Sequence, residues 1–406
     1  MNILFLTIVY PVNETNLYTD LMQEFIEGGH NVYVITSTER RYKKSTSIGI
    51  ERRVTVLRLK TLNLQKTNLL EKGLATLLLE YQYISAIKKY YGNISFDLVI
   101  YSTPPVTFAR VINYCKEVYK ANTYLLLKDI FPQNAVDLGL VRKDSLLYKY
   151  FRNKEKKLYR LSDFIGCMSP KNVEYLIKHN ANLACEKIEV CPNSIIPKPL
   201  NPINNDLKRS IRNKYGIPTD RLLLLYGGNL GKPQGIDFIL EVLTSNKDNI
   251  NVFFLIVGSG TEYASLERSI KENDISNVKL IGMLPKNEYD ALVQVSDIGL
   301  IFLDKRFTIP NFPSRLLSYM EYSLPVIAAT DINTDIGAII EQGKFGFWCE
   351  SGDIDGFNTI LNKILNYKDI NQMRINSRKY LEDNYSAKCS YQIIVNSISK
   401  KKITIN

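Results

Sequence analysis

The fold is decided by the stretch RLLLLYGGNLGKPQGIDFILEVL, residues 221–243, in which an apolar run, a glycine-rich turn and a helical pattern follow one another. The run 222–226 is short enough for a buried parallel strand. We predict that residues 227–229 break this strand and that a helix begins near Ile236. Backbone N–H groups at such a turn, together with the charge of Lys232, favour an anion. An ordinary strand-to-helix turn is the alternative interpretation.

Length and composition indicate a soluble protein of two domains. The 406 residues are enough for two hydrophobic cores, and a hydrophobic content of 45% with 23% charged residues is ordinary for globular proteins. The chain has no apolar run of the ~18–20 residues that span a bilayer, and its first residues lack the basic region of a signal peptide. Six scattered cysteines and two histidines argue against a Cys/His metal site. We expect reduced thiols and a cytoplasmic location.

The net charge of +11 is unevenly distributed. Residues 1–200 hold 28 Lys and Arg against 18 Asp and Glu, a balance of +10, whereas the remaining residues hold 24 against 23, a balance of +1. The excess lies in segments 40–60 and 142–160. The second of these mixes apolar and aromatic residues with eight basic ones, as in a helix on an anionic membrane. Nucleic acid is the other partner that such charge suggests, and a solvated face is the simplest alternative.

Apolar strands and helical patterns alternate along both halves of the chain, which is the order of a parallel sheet covered by helices. A linker rich in proline and asparagine separates the halves at residues 194–206. The predicted strands are 2–9, 31–37, 54–59, 97–102, 123–127, 164–168 and 187–191, then 222–226, 252–257, 278–281, 298–302 and 325–328. We therefore predict an α/β protein with two doubly wound Rossmann-like domains facing across a cleft. Their bounds are 1–195 and 196–386, and a last helix at 387–406 returns toward the first domain.

Several motifs taken in order resemble the family 4 glycosyltransferases of GT-B architecture, which transfer sugars from nucleotide donors with retention of configuration. In the second half these are GGNLGKPQG, VGSG, GMLP, SDIGLIFL and PSRLLSYMEYSLPVIA, and CPNSI stands before the linker. In the first half GHNVYVIT, YSTPP and LLLKDIFPQNA match the subgroup that builds bacterial capsule and O-antigen repeat units. The resemblance covers nearly the whole chain. It implies a UDP-sugar donor and a lipid-diphosphate-linked acceptor.

The resemblance also implies a donor site built from loops of the second half. Its candidates are Gly228, Asn229 and Lys232 for the diphosphate, Gly258 and Gly260 beside the nucleotide, Leu284 at the base, and Ser314 and Arg315 at the donor phosphate or sugar. Cations and helix N-termini placed there would stabilise the negative charge that grows on the leaving nucleoside diphosphate. We count Lys232 among the catalytic residues for this reason.

The chain departs from the family pattern at two places. Many members carry two glutamates eight positions apart where this chain has Pro310 and Ser318. Ser318 stays a donor-site candidate, and Glu321, one helical turn later, is an alternative ribose ligand. The usual Arg and Lys of the phosphate loop are Asn229 and Gln234 here, which leaves Lys232 as the cation of that loop.

On the acceptor side, Asp129 ends a predicted buried strand within LLLKDIFPQNA. Its carboxylate could orient or deprotonate the incoming sugar hydroxyl, or stabilise positive charge at the anomeric carbon. A turn-capping aspartate is the alternative. Thr103 and Ser169 also end strands of this half and are weaker acceptor candidates.

Because protein groups meet the leaving-group charge, we expect the reaction to need no divalent metal. The motif Asp353-Ile354-Asp355 has the spacing of a metal-binding DxD, but it precedes a helical pattern where aspartate is a common N-cap. We interpret Asp353 as such a cap.

Together these features predict a retaining glycosyltransferase that is peripheral on the cytoplasmic face of the plasma membrane. It would move a hexose or N-acetylhexosamine from a UDP-sugar to a polyprenyl-diphosphate-linked acceptor during surface-polysaccharide assembly, with segment 142–160 as the membrane contact. A UDP-sugar 2-epimerase and a transferase-like scaffold without activity are the alternatives. We expect no binding of nucleic acid, since no recognition motif accompanies the charge.

Overall fold

The computed structural model describes residues 1–12, 14–64, 67, 69–200, 203–367 and 369–405. They divide into two compact units. The first unit comprises Met1–Ile196 together with Ser386–Asn406, and the second comprises Pro197–Tyr385. Each unit is an α/β structure with its own sheet and its own hydrophobic core.

The described part of the first unit contains an eight-stranded sheet in the order β3-β4-β2-β1-β5-β6-β7-β8. Its strands are β1 Asn2–Leu6, β2 Asn31–Glu39, β3 Ser47–Glu51, β4 Val54–Thr61, β5 Leu98–Ser102, β6 Asn122–Leu127, β7 Phe164–Cys167 and β8 Ile188–Val190. Its helices are α1 Leu17–Glu27, α2 Leu69–Tyr90, α3 Ala109–Tyr119, α4 Gln133–Asp137, α5 Leu146–Leu161, α6 Pro170–His179 and the C-terminal α15 Ala387–Ile405. All pairs are parallel except β3 with β4.

The C-terminal helix completes the first unit. The Ala387 N–H donates to the carbonyl of Ile195, and α15 packs against α1. The Tyr391 ring lies edge-on to Phe25 with their centroids 5.0 Å apart. A Cβ at Gly28 would lie 2.2 Å from the Tyr391 hydroxyl oxygen, so a residue without a side chain lets this aromatic contact form.

The second unit is built on a six-stranded parallel sheet, counted over its described residues, in the order β11-β10-β9-β12-β13-β14. Its strands are β9 Leu222–Asn229, β10 Val252–Ser259, β11 Val278–Ile281, β12 Ile298–Phe302, β13 Val326–Thr330 and β14 Gly346–Glu350. Its helices are α7 Asn205–Lys214, α8 Ile236–Ser245, α9 Tyr263–Glu272, α10 Lys286–Val295, α11 Arg315–Glu321, α12 Ile336–Gly343, α13 Ile354–Leu365 and α14 Ile370–Asn384.

The predicted break of the strand at residues 227–229 is wrong, because β9 continues through Asn229 and β10 through Ser259. Gly258 pairs with Gly228, and Ser259 with Asn229. A Cβ built on Gly258 would lie 1.8 Å from the carbonyl oxygen of Gly228. The glycines therefore let two backbones approach closely where the sequence pattern alone indicates an end of the strand.

Two strands were not predicted from the sequence. β3 is an exposed antiparallel edge strand whose SIGIE sequence alternates only weakly, and β14 carries GFWCE, which contains glycine and cysteine. Neither has the continuous apolar run of a central parallel strand. No helix in the described ranges is both long and apolar enough to cross a membrane.

Candidate functional site

Gly228, Asn229 and Gly258 lie at the carboxyl ends of β9 and β10, and the side chain of Arg315 reaches this edge. Ligands of open parallel sheets bind outside the carboxyl ends of the strands. Gly228 and Asn229 at the end of β9 are exposed. Gly228 has a φ of +139°, a backbone conformation that favours glycine, and its missing side chain leaves room beside the guanidinium of Arg315.

Arg315 is held in one place next to Gly228. Its Nη2 would lie 3.3 Å from a Cβ on Gly228, and its guanidinium carbon lies 4.4 Å from the centroid of the Tyr226 ring. Nη2 donates to Oε1 of Gln234 over 2.6 Å. Nη1 is buried and has no hydrogen-bond partner in the described part of the chain. Buried donors in native proteins almost always have a partner, so this one has the chemistry of an anion contact that a ligand completes.

The structure gives Gln234 a role that the sequence did not indicate. In the sequence it stands only where the family pattern has a basic residue. Its Oε1 accepts from Arg315 and, over 3.3 Å, from the hydroxyl of Tyr226. A lysine or arginine at this position could not accept either bond. The neutral amide thus fixes the guanidinium. The two residues are 81 positions apart, and no sequence pattern predicts that they pair.

The side chains of Tyr319 and Tyr289 contact Gly227 in β9. The N–H of Gly227 donates to the hydroxyl of Tyr319 over 3.1 Å, and a Cβ on Gly227 would lie 2.0 Å from the Tyr289 hydroxyl oxygen. Burial raises the pKa of Tyr289 to about 12, so this phenol is neutral at physiological pH. These tyrosines therefore add hydrogen-bonding groups without adding negative charge near Arg315.

Lys232 and Asn229 lie on the exposed rim of the loop. Lys232 starts a short 3₁₀ turn over Lys232–Gln234, and Gly235 caps it before α8 begins at Ile236. The Lys232 side chain is exposed and forms no ion pair with the described residues. Its ammonium is therefore available to an anion, and its catalytic role stays a prediction.

The other donor-site candidates lie on three further segments. Gly258 and Gly260 have a packing role, because Cβ atoms there would lie 1.8 Å from the Gly228 oxygen and 2.1 Å from the Leu230 oxygen. Leu284 is half-buried in the loop before α10. Ser314 is exposed immediately before α11, and Ser318 is half-buried within that helix. Ser314 and Arg315 thus stand at the start of α11, whereas contact of any of these residues with a nucleotide stays a prediction.

Glu321, the alternative ribose ligand, has an internal partner instead. Its carboxylate is buried and accepts from the backbone N–H of Lys198 over 3.3 Å. Burial raises its pKa, and the charge of Lys198 partly offsets this. The contact ties the first residues of the second unit to α11. A structural role therefore accounts for Glu321 without a ribose.

In the first unit, Asp129 follows β6 and is held from two sides. The side-chain Nδ2 of Asn134 donates to both carboxylate oxygens, over 2.8 Å to each. The hydroxyl of Thr103 donates to the Asp129 carbonyl over 2.9 Å. Burial raises the pKa of Asp129 to about 6, against the lowering effect of hydrogen bonds from Ile130 and Asn134. A carboxylate with a pKa near 6 can both hold and release a proton near neutral pH.

The two weaker acceptor candidates have structural partners in this unit. Thr103 is buried, and its hydroxyl positions the backbone of Asp129. Ser169 is the N-cap of α6, where its oxygen accepts from the backbone N–H of Asn172 over 3.4 Å. Thr103 therefore contacts the backbone of Asp129, and direct acceptor contact of either residue stays a prediction.

Lys128 precedes Asp129 and lines a small cavity of about 10 Å³ with Tyr18, Cys191 and Ser194. A cavity of this size holds about one water molecule. Burial lowers the pKa of Lys128 to about 8. The cation therefore lies next to the candidate carboxylate in sequence, but its surroundings are partly apolar.

Segment 142–160 forms helix α5, which begins at Leu146. Glu155, Leu158 and Tyr159 are buried, whereas Leu146 is 84% exposed. The ammonium of Lys154 lies 3.5 Å from the Glu80 carboxylate, and Arg152 forms an ion pair with Glu155, so at least two basic residues of this helix have partners within the fold. The exposed face carries apolar residues near its start and basic residues along its length, and these are Leu146, Leu147, Lys149, Tyr150, Lys156, Lys157 and Arg160.

The DxD motif is a helix cap, as the sequence indicates. The Asp353 carboxylate accepts from the backbone N–H of Gly356 over 2.9 Å at the start of α13. In the residues that the structure describes, no cluster of three or more His, Cys, Asp or Glu side chains is arranged to hold a metal ion.

Known proteins resemble this chain in sequence and in fold. Residues 208–382 match the model of the family described as Glycosyl transferases group 1. The chain is 25% identical over 333 residues to the probable glycosyltransferase WbjE of Pseudomonas aeruginosa, which covers 79% of this chain and 78% of the relative.

Two solved structures have the same fold at low sequence identity. HepE of Anabaena in complex with UDP-glucose has a TM-score of 0.71 at 16% identity, covering 98% of this chain and 100% of that one. WaaG, a glycosyltransferase involved in lipopolysaccharide biosynthesis, has a TM-score of 0.66 at 16% identity, covering 97% and 99%. The chain thus has the fold of GT-B glycosyltransferases, and its residues 208–382 are similar to the glycosyl transferases group 1 family.

Proposed function

We propose that this protein is a retaining glycosyltransferase that uses a UDP-sugar donor. The observation that carries the proposal is the buried, unpartnered Nη1 of Arg315 beside the bare backbone of Gly228. A diphosphate supplies the oxygens that this donor lacks, and a planar guanidinium suits them. The UDP-glucose complex of HepE, which has the same fold, supports a nucleotide-sugar donor.

In the proposed reaction, the bond between the anomeric carbon and the diphosphate oxygen breaks, and the acceptor oxygen bonds to that carbon on the same face. UDP leaves with the negative charge, which Arg315 and Lys232 stabilise. The hydroxyl proton passes to a base, and we assign this role to Asp129, whose pKa of about 6 leaves it mostly ionised at pH 7. Because these groups meet the charge, we propose that no divalent metal takes part.

We further propose that the transferred sugar is a hexose or N-acetylhexosamine and that the acceptor is a polyprenyl-diphosphate-linked saccharide of a bacterial surface polysaccharide. The relatives named above include a glycosyltransferase of lipopolysaccharide biosynthesis, which supports this class of acceptor. A lipid-linked acceptor requires contact with the membrane that carries it. The proposed location is accordingly the cytoplasmic face of the plasma membrane.

The exposed faces of α5 and α2 support membrane contact. Beside the apolar and basic face of α5, helix α2 exposes four apolar side chains with the spacing of one helical face, and these are Leu74, Leu77, Leu78 and Tyr81. The Lys154–Glu80 ion pair joins the two helices. Apolar residues flanked by lysines favour an anionic lipid surface through both burial and charge.

The proposal is tested by a donor screen with lipid extract as the acceptor. The purified protein is incubated with single UDP-sugars, and the released UDP and the lipid-linked product are measured, with and without EDTA. We expect both products from one donor, with the anomeric configuration retained by NMR. A lipid product of inverted configuration would contradict retention, loss of activity in EDTA would contradict metal independence, and a 2-epimerised UDP-sugar would favour the epimerase.

A further inference from the structure

Asn134 on α4 makes the closest side-chain contact to Asp129. Its Nδ2 lies 2.8 Å from each of the two carboxylate oxygens. An ionised carboxylate only accepts hydrogen bonds, so the amide nitrogen, and not the amide oxygen, must face it. The backbone N–H of Asn134 donates to the Ile130 carbonyl over 3.1 Å, which holds α4 against the loop that carries Asp129.

The other end of this amide has no partner. Oδ1 of Asn134 is buried and accepts no hydrogen bond in the described part of the chain. A buried amide oxygen without a hydrogen-bond donor is unfavourable, and native proteins rarely leave one unpaired. Because Nδ2 is committed to Asp129, Oδ1 is directed away from the carboxylate. We therefore expect a hydrogen-bond donor from outside the described chain beside Oδ1 of Asn134.

The carboxylate itself keeps room for a substrate. Two oxygens offer roughly four acceptor positions. Asn134 and the backbone N–H of Ile130 take part of them. At least one position is left for the hydroxyl of an acceptor sugar.

We propose that Asn134 is a positioning residue for Asp129, and that its Oδ1 accepts a hydrogen bond from a second polar group of the acceptor sugar. That group is a hydroxyl or an acylamino N–H adjacent to the reacting hydroxyl. This inference rests on the proposed function, because it assigns the acceptor to Asp129. It gives a role to a second residue of the motif LLLKDIFPQNA, in which only Asp129 was a candidate. Asp129 and Asn134 would then accept hydrogen bonds from two neighbouring polar groups of one acceptor sugar.

Two variants separate positioning from folding. Asn134→Ala removes both contacts, and Asn134→Asp keeps the shape but places a second carboxylate against the first. Gln133→Ala is the matched control on the same helix, because the Gln133 amide donates to Asp137 over 2.8 Å and not to Asp129. Transfer is measured against pH with the acceptor and the donor varied separately, and thermal melting reports folding.

We expect both Asn134 variants to lower kcat/KM for the acceptor by about 10- to 100-fold, the range for a lost hydrogen bond to a charged group. The KM for the UDP-sugar stays at the wild-type value. The acidic limb of the pH profile moves to higher pH, most in Asn134→Asp, because a like charge raises the pKa of Asp129. The Gln133→Ala protein keeps the wild-type profile and acceptor KM.

If a folded Asn134 variant kept the wild-type pH profile and acceptor KM, this inference would be overturned while the proposed function would still stand. Should Asn134→Ala fail to melt cooperatively, the isosteric Asn134→Asp protein decides by the same readouts. An acceptor analogue that lacks the adjacent polar group discriminates further, since the wild-type enzyme should lose activity on it while the alanine variant loses none. Absence of transfer by the wild-type protein from every donor would instead overturn the proposed function, and with it this inference.

Discussion

Replacing Asp129 with asparagine should weaken transfer while changing how stability depends on pH. Burial raises the pKa of this carboxyl from an ordinary 3.8 to about 6. A rise of this size in the pKa corresponds to about 3 kcal/mol of unfolding free energy. The folded protein binds the Asp129 proton more tightly than the unfolded chain does. Protonation of Asp129 therefore stabilises the folded state, fully below pH 3.8, and this contribution is lost as the pH rises through about 6.

The predicted loss of stability with rising pH can be measured directly. Urea unfolding of wild type and Asp129→Asn is measured by circular dichroism from pH 4 to pH 7.5. The wild type should lose up to about 3 kcal/mol of unfolding free energy over this window relative to the variant, because asparagine does not titrate. Other groups contribute equally to both proteins and cancel in the difference. Loss of the base should also slow transfer by about 10²–10⁴-fold with unchanged UDP-sugar affinity.

Asp137→Asn is the control, since Asp137 lies on α4 and accepts a hydrogen bond from Gln133 rather than from Asn134. Two results would refute the reasoning. Parallel stability curves for wild type and Asp129→Asn would show that the carboxyl is not destabilised by burial when ionised. Wild-type transfer by the variant would remove Asp129 from the reaction.

Three further perturbations test the donor site and the membrane surface. Arg315→Gln should weaken UDP binding about 10- to 100-fold in calorimetry, because a guanidinium with a free donor is lost; unchanged affinity would place the diphosphate elsewhere. Lys232→Ala should lower kcat/KM by about 10²–10³-fold with the melting temperature unchanged, and full activity would exclude it from leaving-group stabilisation. Replacing the exposed Lys149 and Lys157 by glutamine should reduce binding to anionic vesicles in a salt-sensitive manner, whereas equal binding at low salt would indicate a merely solvated face.

The order of the elements could be predicted from the sequence because it depends on local pattern. The central strand 298–302 has the predicted bounds, since a strand buried on both faces must be continuously apolar. The edge strand 278–281 also has the predicted bounds. The cap at Asp353 and the helix that begins at Arg315 follow from short-range rules as well. The glycine-rich loop at the end of β9 was located for the same reason.

The partners of the site residues were decided by the tertiary structure alone. The pairing of Arg315 with Gln234 joins residues 81 positions apart, and the internal contact of Glu321 with Lys198 joins residues 123 positions apart. No local rule links such positions, because hydrogen bonds between distant segments depend on how the sheet and helices pack. Even Asn134, five residues from Asp129, has no periodic signal, since its role depends on the turn between β6 and α4. The sequence by itself therefore determined which residue types reach the strand ends, and only packing decided which of them are left with an unpaired donor or acceptor for a substrate.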